Sequence, residues 1–94
     1  MDAPLSELLD FLRYPSISTD AVYSDHVSEC AQWLYEKFMS MGLAAEVHGT
    51  PGHPVVVAKN EHRPGRRTVM IYGHYDVQPV DPVELWTSPP FEPR

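Results

Sequence analysis

Two residues carry types and spacing that could do chemistry: His74 and Asp76, in the stretch Thr68-Val69-Met70-Ile71-Tyr72-Gly73-His74-Tyr75-Asp76-Val77-Gln78-Pro79. Two apart in an extended chain, their side chains face the same way. Neutral imidazole is a common zinc ligand, and a ligating His usually donates its other ring N–H to a carboxylate that fixes its tautomer and raises its basicity. His74 is therefore a candidate metal ligand and Asp76 the candidate carboxylate that orients it. The apolar run before Gly73 reads as a buried strand, and in open α/β sheets ligands bind beyond the carboxyl ends of strands. Gly73 would permit close backbone approach or an unusual turn there. As a bare pattern, His-x-Asp is a weak signal that more often describes a hydrogen-bonded loop pair than a metal site.

The other conspicuous side chains have a plainer reading. His26, His48, His53 and His62 show no ligand spacing such as HExxH and are expected on the surface or in loops. Cys30 falls on the apolar stripe of a helix and reads as a small core residue, with no base identified beside it. Trp33 and Tyr35 lie next to that stripe, where aromatics usually pack against a sheet or else mark a partner surface. Trp86 and Phe91 could shape a cleft or anchor a Pro-rich loop.

The elements that must position the pair follow from periodicity. Pro4 suits the first turn of a helix, in which Leu5, Leu8, Leu9 and Leu12 recur at helical spacing until Tyr14, where Pro15 disfavours continuation. Pro15 to Asp20 reads as a loop with local hydroxyl-to-backbone hydrogen bonds. Ser24 or Asp25 can cap a second helix with Val27, Cys30, Ala31, Leu34, Phe38 and Met41 on one stripe and Gly42 as its stop. Three strand candidates follow, Leu43 to His48, Val55 to Lys59 and Thr68 to Tyr72, separated by turns at Pro51-Gly52 and Pro64-Gly65. The last two are apolar enough for a sheet interior. Five prolines between Val77 and Arg94 exclude a helix or central strand from that tail.

The expected class is α/β, with two helices against a small mixed sheet. Ninety-four residues, 43% hydrophobic, make one small domain at most, and a chain this short has little material to cover a sheet on both faces. Thirteen acidic against seven basic residues, formal net charge −6, disfavour a nucleic-acid partner. One cysteine excludes an internal disulfide. The opening residues lack the pattern of a secretory signal and no apolar run is long enough to span a membrane, so a cytoplasmic location is expected.

The segment Gly73-His74-Tyr75-Asp76-Val77-Gln78-Pro79, followed by Trp86 and Ser88-Pro89-Pro90-Phe91, resembles the first metal-binding segment of the aminoacylase, carnosine dipeptidase and succinyl-diaminopimelate desuccinylase family of zinc metallopeptidases. The order of helix, Pro15-Ser16-Ile17-Ser18 loop, long helix and strands extends the likeness over essentially the whole chain, and the Val-Gln-Pro ending favours the dipeptidase branch. The resemblance implies that residues 1–94 are the N-terminal portion of a three-layer αβα catalytic domain, without the lid or dimerisation domain through which the complete enzyme could form a homodimer. It implies His74 as ligand of one zinc and Asp76 as the catalytic-site carboxylate orienting it. It also implies a two-zinc site, with manganese or cobalt as alternatives, that hydrolyses an amide bond of a dipeptide or N-acyl amino acid. The family's bridging Asp, Glu-Glu pair and further ligands have no match in these residues. A catalytic zinc needs about three protein ligands, so the 94-residue chain alone is expected to be inactive. The alternative from a different class is a non-catalytic interaction module that pairs with a partner chain through an unfinished sheet edge.

Overall fold

The structure, a computed structural model, describes residues 2–93. Helix α1 spans Ala3–Leu12, with Pro4 in its first turn. Asp2 caps it by accepting the Leu5 N–H at 2.9 Å, which satisfies one of the donors that every helix start leaves free. Helix α2 spans Ser24–Ser40, and its entry differs from the expected one. A 3-10 turn, Ala21–Tyr23, precedes it, and Asp20 accepts the Val22 N–H at 3.0 Å. The free donors thus begin a turn earlier, so Ser24 and Asp25 are already helical and neither is the cap. The other end follows Gly42. With φ at 85°, Gly42 lets the Leu43 N–H return to the Phe38 carbonyl and its own N–H to Met39, closing a Schellman motif.

The core is small and lies on one side of α2. Val27, Cys30 and Ala31 are fully enclosed, and they are joined by Ser16 and Ile17 from the loop after α1. The stripe thins toward the C-terminal end of the helix: Leu34 and Phe38 are half-buried and Met41, expected on it, is exposed beyond the last turn. Trp33 packs on α1 rather than on the sheet, stacked on Phe11 with ring centroids 5.5 Å apart and covered by the Lys37 ammonium at 5.6 Å. Lys37 also reaches Glu7 of α1 at 3.1 Å.

Strands β1 (Ala44–His48) and β2 (Val55–Lys59) form an antiparallel pair in which Ala45 faces Ala58 and Val47 faces Val56, and α2 lies across both. The loop between them is tied by Thr50, whose hydroxyl donates to the His53 carbonyl and accepts from the Gly52 N–H. The fold class is α/β with two helices, as expected, but the sheet differs. It is purely antiparallel, and Thr68–Tyr72, expected as a buried third strand, pairs with nothing among the described residues. Val69, Met70, Ile71 and Tyr72 are 79–92% exposed. A strand apolar on both faces needs a neighbour along an edge and a layer on each face, and neither is present among the described residues. β2 is not an interior strand either, since Val55 and Val57 are about half exposed. The radius of gyration, 15.6 Å, exceeds the roughly 12 Å of a compact chain of this length.

Burial pushes the Cys30 thiol up to about 11, only partly offset by the neighbouring Ser16 hydroxyl. In the unfolded chain the thiol ionises near ~8.5. The unfolded state therefore binds fewer protons between those two values, and stability, fully present below the lower one, falls as pH rises through the window. The expected result is a urea midpoint that declines between about pH 8.5 and about pH 10 in the parent chain and not in Cys30→Ala. Alkylation of the native thiol should be far slower than in urea, and equal rates would show that Cys30 is not enclosed.

Candidate metal centre

Residues 74–77 have no strand to sit in, so their position comes from the loop after α1. The Val77 N–H donates to the Ser16 carbonyl at 3.0 Å, and Ile17 and Val77 form an isolated parallel bridge. The buried Ser16 hydroxyl donates to the Tyr75 carbonyl at 2.7 Å. Tyr75 in turn donates its phenolic O–H to the Pro54 carbonyl at 2.6 Å, reaching the β1–β2 loop. Burial raises the Tyr75 phenol above its ordinary value, which keeps it a donor. The hydroxyls of Ser16 and Ser18 were expected to bond locally, but both cross to the 74–77 segment, fifty-nine and fifty-eight residues away.

His74 and Asp76 meet. His74 Nδ1 lies 2.9 Å from Asp76 Oδ1 and 3.1 Å from the Asp76 backbone carbonyl. A carbonyl oxygen and an ionised carboxylate can only accept, so Nδ1 carries the proton. In the neutral imidazole that leaves Nε2 as the ring atom with a free lone pair, on a side chain 71% exposed. The second carboxylate oxygen, Oδ2, accepts from the Ser18 hydroxyl at 2.6 Å. The Ser18 bond holds the Asp76 carboxyl below its ordinary value against a small desolvation penalty, and the hydrogen bond and charge of His74 add to that lowering. Asp76 therefore remains an acceptor on both oxygens at neutral pH.

Gly73 plays neither expected role. It has no positive φ, and a Cβ built on it would meet nothing within 4 Å. The remaining histidines are dispersed: His26 faces Glu29, His48 faces Glu46, and His53 donates Nε2–H to the Ser18 carbonyl at 2.7 Å. His53, expected as a loop residue, thus also ties the β1–β2 loop to the Ser18 loop. Trp86 donates its indole N–H to the Val80 carbonyl at 2.9 Å, a bond within the Pro-rich tail. Sequence reasoning missed Ser16, Ser18, His53 and Tyr75, because no short-range spacing links them to the pair.

As a donor set the site is incomplete. Among the described residues no three His, Cys, Asp or Glu side chains come together to hold a metal ion. His74 has the tautomer, exposure and carboxylate partner of a single nitrogen ligand.

No family model matches the chain. Curated relatives do. The chain is 30% identical over 100 residues to a Cys-Gly metallodipeptidase of Schizosaccharomyces pombe, covering 96% of this chain and 21% of the relative. It is 29% identical over 82 residues to a succinyl-diaminopimelate desuccinylase of Shewanella loihica, covering 87% of this chain and 20% of the relative. Among solved structures, an M20 family metallo-carboxypeptidase from Sulfolobus solfataricus matches with a TM-score of 0.83 and 41% identity over 98% of this chain and 20% of that one. The chain thus spans about a fifth of the length of the relatives it matches.

Tyr75→Phe removes the bond to the Pro54 carbonyl without disturbing the His74–Asp76 contact. It should cost about 1 kcal/mol of stability, read as a lower urea midpoint at unchanged slope. An unchanged midpoint would show that the tie to the β1–β2 loop does not hold the segment.

Proposed function

The chain is homologous to a segment of the M20 metallopeptidases, and we propose that residues 1–94 form the N-terminal portion of a catalytic domain that hydrolyses the amide bond of a dipeptide or N-acyl amino acid. The observation that carries this reading is the His74–Asp76 pair, whose acceptor-only partners at Nδ1 leave Nε2 free to ligate. His74 would hold a divalent metal, zinc in the first instance with manganese or cobalt as alternatives, and Asp76 would hold the His74 proton. A bound divalent ion supplies Lewis-acid polarisation of a carbonyl and lowers the pKa of water. What this chain contributes is orientation: Asp76 keeps the imidazole in the ligating tautomer and lends it basicity. The names of the relatives support a dipeptide substrate ahead of an N-acyl amino acid, since Cys-Gly metallodipeptidases stand among them.

One imidazole is one ligand, and a catalytic zinc takes about three protein ligands plus an open position. The 94-residue chain is therefore expected to show no zinc-dependent hydrolysis of Cys-Gly or other dipeptides. It should bind cobalt or zinc weakly through His74, read as a selective shift of the His74 ring signals on titration that disappears in His74→Ala. Turnover by the pure chain would overturn the first expectation, and an identical metal response in His74→Ala the second.

The exposed Val69–Tyr72 run favours a second reading, compatible with the first, in which the chain pairs edge to edge with a partner polypeptide. Amide protection along 68–72 on adding the partner, and none in Ile71→Pro, is the expected signature.

A further inference from the structure

We propose that Ser18 is a positioning residue for the candidate metal ligand His74, acting through Asp76; this rests on the metal reading above. Asp76 is half exposed and its segment belongs to no strand, so the one contact with His74 would leave its carboxylate free to rotate. The Ser18 hydroxyl removes that freedom. It meets Oδ2 at 2.6 Å, the short distance of an O–H donor on an ionised carboxylate, while Oδ1 stays on His74 Nδ1. With one oxygen pinned, the other is aimed.

Ser18 can do this because it is itself fixed. Its carbonyl accepts from His53 Nε2–H at 2.7 Å, its neighbour Ile17 is buried, and Ser16 two residues back bonds twice to residues 75 and 77. The hydroxyl therefore stands on the better-anchored side of the contact, and the carboxylate that orients His74 is positioned from the loop after α1. The supporting bonds of a ligating His hold its tautomer, and here the support continues one residue further, from His74 to Asp76 to Ser18.

The test compares Ser18→Thr with Ser18→Val, two side chains of one shape that differ in the hydroxyl. In the full metal-free chain with labelled histidine, the ring-nitrogen shifts of the neutral His74 ring report its tautomer. Parent and Ser18→Thr are expected to show the Nδ1–H form, and Ser18→Val a mixture, with zinc binding about tenfold weaker. A fully Nδ1–H imidazole in Ser18→Val, or a mixture in Ser18→Thr or in the parent, overturns the proposal. If Ser18→Val lacks a dispersed amide spectrum, Ser18→Ala replaces it. Loss of the fold in both also overturns the proposal, because the hydroxyl would then hold the fold and not the carboxylate. The metal reading fails separately: a parent chain with the expected tautomer pattern but no response of His74 to zinc sinks that reading and leaves the role of Ser18 standing.

Discussion

The short loop Ser16–Ser18 is the constraint on which the site depends. Ile17 is buried, Ser16 lies beside Cys30 of α2, and through both backbone and hydroxyls the loop grips residues 75–77. Hydrogen bonds in the half-buried zone between loop and segment stabilise by about 1 kcal/mol each, so the set of three matters more than any one of them. The arrangement makes a local order that a sheet would otherwise supply. Cys30, one of the enclosed residues of α2, lies beside the Ser16 hydroxyl of this loop.

The same contact decides the electrostatics. Every group facing His74 Nδ1 accepts hydrogen bonds, and the group facing Asp76 Oδ2 donates one. Donors and acceptors alternate along the chain from Ser18 to His74, so the proton position is set by geometry, and the lone pair emerges at Nε2 toward solvent.

Away from the contact the molecule is thinly covered. One face of the β1–β2 pair, the leucines of α1 and the Val69–Tyr72 run all present apolar surface to water. Exposed apolar patches of this kind mark interaction surfaces, ligand grooves or aggregation liabilities. No helix among the described residues is long and apolar enough to cross a membrane.

Much of this was legible in the residues themselves. Both helices, the stop at Gly42, two strands and the candidacy of His74 and Asp76 follow from short-range periodicity, turn chemistry and spacing, because those signals act within a few positions of the chain. The entry to α2 was displaced because a 3-10 turn capped by Asp20 has no periodic signature of its own. Thr68–Tyr72 has the composition of a strand and is not one here, since a strand exists only through its neighbours. The roles of Ser16, Ser18, His53 and Tyr75 were hidden for the same reason. A hydroxyl bonded to a group nearly sixty residues away leaves no mark in local sequence, and only the folded backbone, by bringing the 16–18 loop against residues 75–77, determined which side chains would hold the carboxylate and the imidazole in place.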